Sequence, residues 1–210
     1  MPALINNLAF ACSQVVEEIQ RWLSSQPGPI VVALDGGSGA GKSTLASLIE
    51  SEITTALIPL DDFFSADIPD NQWDTFTIEE KLTYVFDWQR LRESAIEPLL
   101  AGKPARWYAF DFSSGLRSDG TYGRQSDHIE REPADMILLE GAYSACPELA
   151  DEVDLAILVD TRIDVRHARL ASREDTDFLK KWHMRWDPVE THYFTHVRPR
   201  SSYDLVVRLE

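Results

Sequence analysis

The sequence predicts an α/β fold built on a mainly parallel sheet of about five strands, with helices on both faces. Short runs of apolar residues alternate with helical patterns along the chain, and a glycine-rich loop joins the first run to a helix. The length of 210 residues suits one domain with a sizeable core. We therefore expect residues 1–210 to form a single domain.

Five apolar segments are predicted to form the strands. Each is short, rich in Val, Ile or Leu, and bounded by turn residues or a helical pattern. Near-continuous apolar runs are typical of strands buried on both faces, and ligands bind such sheets at the carboxyl ends of the strands. The segments are Ile30–Asp35, Ala56–Leu60, Met136–Glu140, Leu155–Asp160 and the run DLVVRL near the C-terminus.

An amphipathic helix is predicted over residues 1–26. This segment lacks the basic start and the small-residue cleavage site of a signal peptide. Two further helices have recognisable first turns: Thr77 and Glu80 form a capping-box pattern, and Asp87 precedes another helical run. The apolar positions of the first helix are Leu4, Leu8, Cys12, Val15, Ile19 and Leu23.

The composition excludes several classes of partner. The chain has 20 basic and 35 acidic residues, and its formal net charge of −15 repels a phosphate backbone, so we expect no nucleic-acid partner. No segment approaches the roughly 18 uninterrupted apolar residues of a membrane span, so we expect no membrane partner. Cys12 and Cys146 lack the spacing of a disulfide framework or a zinc site, which favours a reducing cytoplasm.

The loop after the first strand matches the phosphate-binding pattern G-x-x-x-x-G-K-[ST], in which backbone N–H groups and a helix N-terminus surround the phosphates. We expect Lys42 to reach the β- and γ-phosphates and the Ser43 hydroxyl to bind Mg²⁺. A plain glycine-rich turn is the alternative; the dinucleotide pattern G-x-G-x-x-G is not matched in this loop. The predicted nucleotide-binding residues are Gly36, Gly37, Ser38, Gly39, Ala40, Gly41, Lys42, Ser43 and Thr44.

Acidic residues follow two other predicted strands. Asp61 and Asp62 come directly after the second strand, where a carboxylate could accept the proton of an attacking hydroxyl. Glu140 ends the third strand, where P-loop proteins keep an acid near Mg²⁺. The alternatives are a solvated acidic turn for the aspartates and an ordinary strand-end acid for Glu140.

Together these three motifs resemble the uridine kinase-like branch of P-loop kinases, which includes uridine kinase, nicotinamide riboside kinase, pantothenate kinase and phosphoribulokinase. The resemblance covers the chain from about Ile30 to Val207. It implies a P-loop NTPase-type three-layer sandwich that uses ATP and Mg²⁺ to phosphorylate a hydroxyl group of a small metabolite.

The resemblance also assigns roles to single residues. The family's Asp-x-Phe-aromatic motif resembles DDFF, which implies that Asp61 is the catalytic base and that Asp62 and Phe64 lie beside the acceptor. The family's Glu-Gly after an apolar strand looks like Glu140 and Gly141, which implies a metal or metal-water role for Glu140.

An arginine-bearing lid is predicted within residues 161–200, which also hold the C-terminal helices. Arg166, Arg169 and Arg173 are three and four residues apart, so a helix would put them on one face. A solvated charged face is the ordinary meaning of this pattern. The segment is similar to the family's lid, which implies that these arginines close over the phosphates and exclude water, with Arg166 also a candidate for acceptor contact.

The acceptor site matches the family less well. Uridine kinases have a Tyr-Asp-Phe segment followed by a histidine that helps to read the base; the stretch AFDFSSGL resembles it, with Phe110 in place of the tyrosine and Gly115 in place of the histidine. We therefore expect weak or altered base selectivity. Asp74 could match the family's ribose-binding acid, and Asp87 could match a later part of the same segment. Tyr108 and Phe110 could stack on a flat acceptor, or belong to the core.

We predict an ATP-dependent kinase of a nucleoside or related riboside. The alternatives are a kinase of a pantothenate-like or sugar-like alcohol in the same family, and a regulatory P-loop ATPase. His192 and His196 have the spacing of two helical metal ligands, but no third ligand accompanies them in the sequence. The aromatic residues between Trp182 and Phe194 leave a homodimer contact open.

Overall fold

The computed structural model describes residues 2–209, with side chains described from residue 8 to residue 209. Its main sheet has five parallel strands in the order β2-β5-β1-β6-β7, which confirms the predicted sheet. The strands are β1 (Ile30–Asp35), β2 (Thr55–Pro59), β5 (Met136–Glu140), β6 (Leu155–Asp160) and β7 (Leu205–Arg208).

The register of this sheet brings three strand ends together. Glu140 of β5 lies opposite Leu34 of β1 and opposite Pro59 of β2. Gly36 lies two residues after Leu34, and Asp61 lies two residues after Pro59. The phosphate loop, Glu140 and Asp61 therefore lie at the same edge of the sheet. β5 lies between β1 and β2.

Helices cover both faces of the sheet. Successive side chains of the central strands point to opposite faces, so each face presents apolar residues to the helices that pack on it. Ile30, Val32 and Leu34 pack in one apolar cluster with the first two helices, whereas Val31 packs in the cluster on the other face. The helices are α1 (Pro2–Ser25), α2 (Lys42–Glu52), α3 (Ile78–Tyr84), α4 (Trp88–Leu91), α5 (Glu97–Leu100), α6 (Ile163–Ala171) and α7 (Thr176–His192).

The helix starts agree with the sequence. Thr77 and Glu80 make the reciprocal hydrogen bonds of a capping box at α3, and the Asp87 carboxylate accepts a hydrogen bond from Arg90 N at the start of α4. Val15 and Ile19 of α1 are fully buried, as the predicted amphipathic pattern requires; the side chain of Leu4 lies outside the described set. No helix in residues 2–209 has the length and apolarity to cross a bilayer.

A separate antiparallel hairpin stands beside the main sheet, and the sequence did not predict it. It pairs β3 (Ala105–Asp111) with β4 (Gly123–Arg131). Ala105 and Trp107 of β3 are buried against the core, whereas Arg106 and Tyr108 alternate with them on the exposed face. Trp107 of β3 contacts the segment after β2, and the loop between β3 and β4 contributes Phe112, Gly115 and Tyr122 to the cavity described below.

Candidate active site

The phosphate loop leaves the centre of the sheet in a conformation that only glycine adopts easily. Gly36 has φ 152°, and a Cβ atom built on it would lie 2.6 Å from the carbonyl oxygen of Val159. Gly41, with φ 99°, is in the left-handed region immediately before α2 begins. The loop therefore runs from β1 into a helix N-terminus, which is the arrangement that binds phosphate.

Lys42 holds this loop in its curved form. Its ammonium group donates hydrogen bonds to the carbonyl oxygens of Gly36, at 2.9 Å, and Gly37, at 3.2 Å. The side chain is buried, yet it lines the large cavity described below. The lysine thus sits where it can turn from the loop carbonyls to an incoming phosphate.

Asp35, the last residue of β1, holds the start of the phosphate loop by accepting a hydrogen bond from Gly36 N. Its fully buried carboxylate lies under Gly36, and burial raises its pKa, although five hydrogen bonds favour the charged form. It accepts these bonds from the backbone N–H groups of Gly36, Tyr143 and Ala145 and from the hydroxyls of Tyr193 and Tyr203. Sequence reasoning missed this role; an aspartate ending a wholly apolar strand was the available signal.

Ser43 and Glu140 meet at the base of the cavity. The Ser43 hydroxyl donates to both carboxylate oxygens of Glu140, at 3.3 Å each. Burial raises the pKa of Glu140, and the nearby Asp61 carboxylate raises it further, while Lys42 lowers it. A hydroxyl and a carboxylate are the oxygen ligands that Mg²⁺ accepts beside phosphates, so these two residues fit a magnesium ion.

The two aspartates after β2 point in different directions. Asp61 lies on the cavity wall, where solvent reaches it. Desolvation by the surrounding protein raises its pKa, while the positive charges of Lys42 and Arg173 act in the opposite direction. Asp62 turns away toward the hairpin, where its carboxylate accepts a hydrogen bond of 2.8 Å from the indole N–H of Trp107. Of the pair, Asp61 faces the space where a reaction could occur.

Two of the lid arginines contact the phosphate loop directly. Arg166 donates to the carbonyl oxygen of Ser38 at 3.0 Å, and Arg169 donates to those of Gly39 and Ala40 at 3.3 and 3.0 Å. Arg173 lies two residues beyond the end of α6. Arg169 and Arg173 line the cavity, whereas Arg166 does not.

Arg166 is instead paired with a residue that the sequence analysis did not single out. Its guanidinium lies 2.7 Å from the carboxylate of Glu190, which is 4% exposed. The other oxygen of Glu190 accepts a hydrogen bond of 2.8 Å from Ser38 N. Glu190 follows Trp186 by four residues, so both lie on the buried face of α7. An acidic residue on an apolar helix face was the feature of the sequence that could have indicated its role.

A cavity of about 970 Å³ unites these groups. One end is formed by the phosphate loop, Glu140, Asp61, Arg169 and Arg173. The rest of the wall includes eight aromatic residues among aliphatic and small ones, and aromatic side chains are common where proteins bind flat organic molecules. The aromatic lining residues are Phe64, Phe86, Phe112, Tyr122, Tyr143, Phe178, Trp182 and Trp186.

Five predicted acceptor residues lie outside the cavity wall: Asp62 and Arg166, described above, and Asp74, Tyr108 and Phe110. Asp74 is bound by Arg185 at 2.8 Å. Tyr108 is half exposed on the outer face of β3. Phe110 is buried behind the wall, 4.3 Å from Phe112 between ring centroids. Phe64 does line the cavity, and Gly115 contributes to the wall without a side chain.

The chain matches the model of the phosphoribulokinase/uridine kinase family over residues 31–178. A uridine kinase from Halobacterium salinarum is 33% identical over 150 residues, a match that covers 68% of this chain and 61% of that protein. A uridine kinase from Lactobacillus helveticus is 29% identical over 180 residues, which covers 81% of this chain and 78% of that protein.

Solved structures share the fold over nearly the whole chain. A possible uridine kinase from Bacillus stearothermophilus superposes with a TM-score of 0.66 at 19% identity and covers 98% of this chain and 99% of its own. D-glycerate 3-kinase from Cryptococcus neoformans superposes with a TM-score of 0.59 at 15% identity and covers 99% and 96%. These likenesses confirm the predicted P-loop kinase fold, and the family match supports the predicted class of enzyme, an ATP-dependent phosphotransferase. The chain belongs to the phosphoribulokinase/uridine kinase family.

Proposed function

We propose that this protein is an ATP-dependent kinase that transfers the γ-phosphoryl group to a hydroxyl of a nucleoside or related riboside. One observation carries the proposal: the phosphate loop and Asp61 open into the same cavity, whose wall also holds eight aromatic side chains. The family match and the relatives named uridine kinase support this choice over a pantothenate-like or sugar-like acceptor and over a regulatory ATPase.

In the proposed reaction each end of the cavity has its own task. The loop N–H groups and Lys42 hold the β- and γ-phosphates, while Arg169 and Arg173 offset the charge of the transferring group. Asp61 accepts the proton of the attacking hydroxyl, because it is the carboxylate of its pair that faces the cavity. The aromatic wall positions the flat part of the acceptor against Asp61.

Mg²⁺ is part of this proposal through Ser43 and Glu140. The bound ion would neutralise charge on the phosphate oxygens. Ser43 at the start of α2 and Glu140 at the end of β5 already hydrogen-bond to each other, so little rearrangement is needed to present both oxygens to one ion. We also propose that residues 1–210 act as one kinase domain and that the protein works in the cytoplasm; its two cysteines are buried free thiols.

The acceptor end supports weak base selectivity. Gly115 lines the cavity, and a Cβ atom added to it would meet no atom within 4 Å, so the position of the family's histidine is open space here. Contacts to aromatic and aliphatic side chains leave few polar groups unpaired when a different base enters, and discrimination falls accordingly.

The test is release of ADP from Mg-ATP by the purified chain with each of several acceptors: uridine, cytidine, adenosine, nicotinamide riboside, pantothenate and common sugars. We expect ribosides with different bases to stimulate ADP release, with little turnover when no acceptor is added. Asp61→Asn serves as the inactive control. Stimulation by pantothenate or a sugar alone would refute the riboside proposal, and stimulation by uridine and cytidine alone would refute the loss of selectivity.

A further inference from the structure

A cluster of three potential metal ligands joins the two lid helices, and none of the three lines the cavity. His167 belongs to α6, and His183 and Asp187 lie one turn apart on α7. One ligand atom from each residue lies within 4.8 Å of the other two. Within residues 8–209 this is the one place where three His, Cys, Asp or Glu side chains converge in this way.

Hydrogen bonding accounts for only part of this cluster. His183 Nδ1 lies 3.0 Å from Asp187 Oδ1, which is an ordinary pair across one helical turn. His167 Nε2 lies 3.2 Å from Asp187 Oδ2 but makes no hydrogen bond to it, and this buried nitrogen has no other hydrogen-bond partner among the described residues. A buried polar atom without a partner is costly, and its nearest neighbour is a carboxylate.

We propose that His167, His183 and Asp187 form a binding site for Zn²⁺. The three ligand atoms lie within 4.8 Å of one another, so small side-chain adjustments would bring them to the edge length of about 3.3 Å of a tetrahedron with bonds of about 2.0 Å. Two imidazoles and one carboxylate suit zinc, whereas Mg²⁺ prefers an all-oxygen shell. The side chains of His167, His183 and Asp187 are partly exposed, at 36%, 25% and 28%, whereas the His167 Nε2 atom itself is covered.

The site would act on the lid. Zinc bound there ties α6 to α7, and His167 directly follows Arg166, whose partners are the phosphate loop and Glu190 of α7. The ion therefore fixes the pair of helices that places the arginines on the loop. This role is separate from that of Ser43 and Glu140, which offer only oxygen ligands.

The test is equilibrium dialysis of the chelator-treated full chain against Zn²⁺, with Mg²⁺ in large excess to occupy the oxygen ligands. We expect one Zn²⁺ per chain. His167→Gln and Asp187→Asn should each weaken binding at least about tenfold. His192→Gln is the matched control: His192 and His196 also stack one helical turn apart, with ring centroids 4.9 Å apart, but they belong to no three-ligand cluster of the described residues.

Two further measurements keep the proposal falsifiable where a variant fails to fold. Co²⁺ added to the wild-type chain should give visible absorption bands of a nitrogen-containing site, which His183→Gln should lose. Zn²⁺ should also raise the thermal midpoint of the wild type in a concentration-dependent manner, because it binds the folded state. Absence of stoichiometric zinc binding, unchanged affinity in His167→Gln and Asp187→Asn, or an equal loss in His192→Gln would overturn the proposal.

Discussion

Arg166 and Glu190 form a buried ion pair, 2.7 Å apart, directly over the phosphate loop. Each partner also holds Ser38: Arg166 binds its carbonyl oxygen, and Glu190 binds its N–H group. The pair therefore fastens α6 and α7 to the loop that is to receive phosphate, and it connects residues that are 24 positions apart.

We expect Glu190→Ala to destabilise the protein by about 3 kcal/mol, because it leaves the Arg166 charge buried without its partner. Glu190→Gln should cost less, since the amide oxygen can still accept from Ser38 N. Chemical denaturation measures both effects. The matched control is Asp164→Ala, which breaks the exposed Arg162–Asp164 pair of the same 2.7 Å length. A pair of that exposure contributes only about 0–1 kcal/mol, so equal losses at the two positions would contradict this prediction.

Lys42→Ala should lower phosphoryl transfer by about 100-fold or more, because the substitution removes a cation at the transferring phosphate together with its two hydrogen bonds to the loop carbonyls. Steady-state ADP release measures the effect, and circular dichroism checks that the fold is retained. Near wild-type turnover in a folded Lys42→Ala variant would refute the assignment of this loop to phosphate binding.

Asp61→Asn should abolish transfer while ATP binding survives, because the amide cannot accept the proton. Asp62→Asn should retain transfer, since the asparagine oxygen can still accept from Trp107.

Asp61→Asn should also change the thermal stability of the protein. The pKa of Asp61 is raised in the folded state, so its contribution to stability decreases as pH rises through that raised pKa. Asp61→Asn should therefore melt at a higher temperature than the wild type at pH 7.

The pH dependence of kcat/KM should report the Asp61 carboxylate in the free enzyme. A base works when deprotonated, and the raised pKa of Asp61 puts the acid limb of the profile above the range of an ordinary aspartate. Arg173 lowers that pKa, so Arg173→Gln should move the acid limb to higher pH. Arg106→Gln, on the far hairpin, is the control and should not move it; an unshifted limb in Arg173→Gln would count against Asp61 as the titrating base.

Glu140→Gln should raise the Mg²⁺ concentration needed for half-maximal transfer by about tenfold or more, because a charged oxygen ligand is replaced by a neutral one. Titration with Mg²⁺ at saturating ATP measures it. Thr44→Ser, a conservative change beside Ser43 in the first turn of α2, should leave the Mg²⁺ requirement unchanged. The same Mg²⁺ requirement in Glu140→Gln and wild type would remove Glu140 from the metal site.

The sequence by itself determined the local parts of this protein. The five strands follow from short apolar runs, the helix starts at Thr77 and Asp87 follow from capping residues, and the phosphate loop follows from its glycine spacing. Each of these depends on interactions within a few residues, which is the range over which side-chain and backbone preferences act. The family was also recognisable from three such motifs, and the family match confirms it.

Only the tertiary structure decided which groups face one another. Asp61 rather than Asp62 lies in the cavity because Trp107, 45 residues later, binds the second carboxylate. The β4 strand has a mostly polar sequence and is held by pairing with β3. It lacks the alternation of apolar and polar residues from which a strand is predicted. Glu190 reaches Ser38 across 152 residues, and Asp35 gathers Tyr193 and Tyr203 from the far end of the chain. Such contacts are set by strand order and helix packing, which local preferences do not contain.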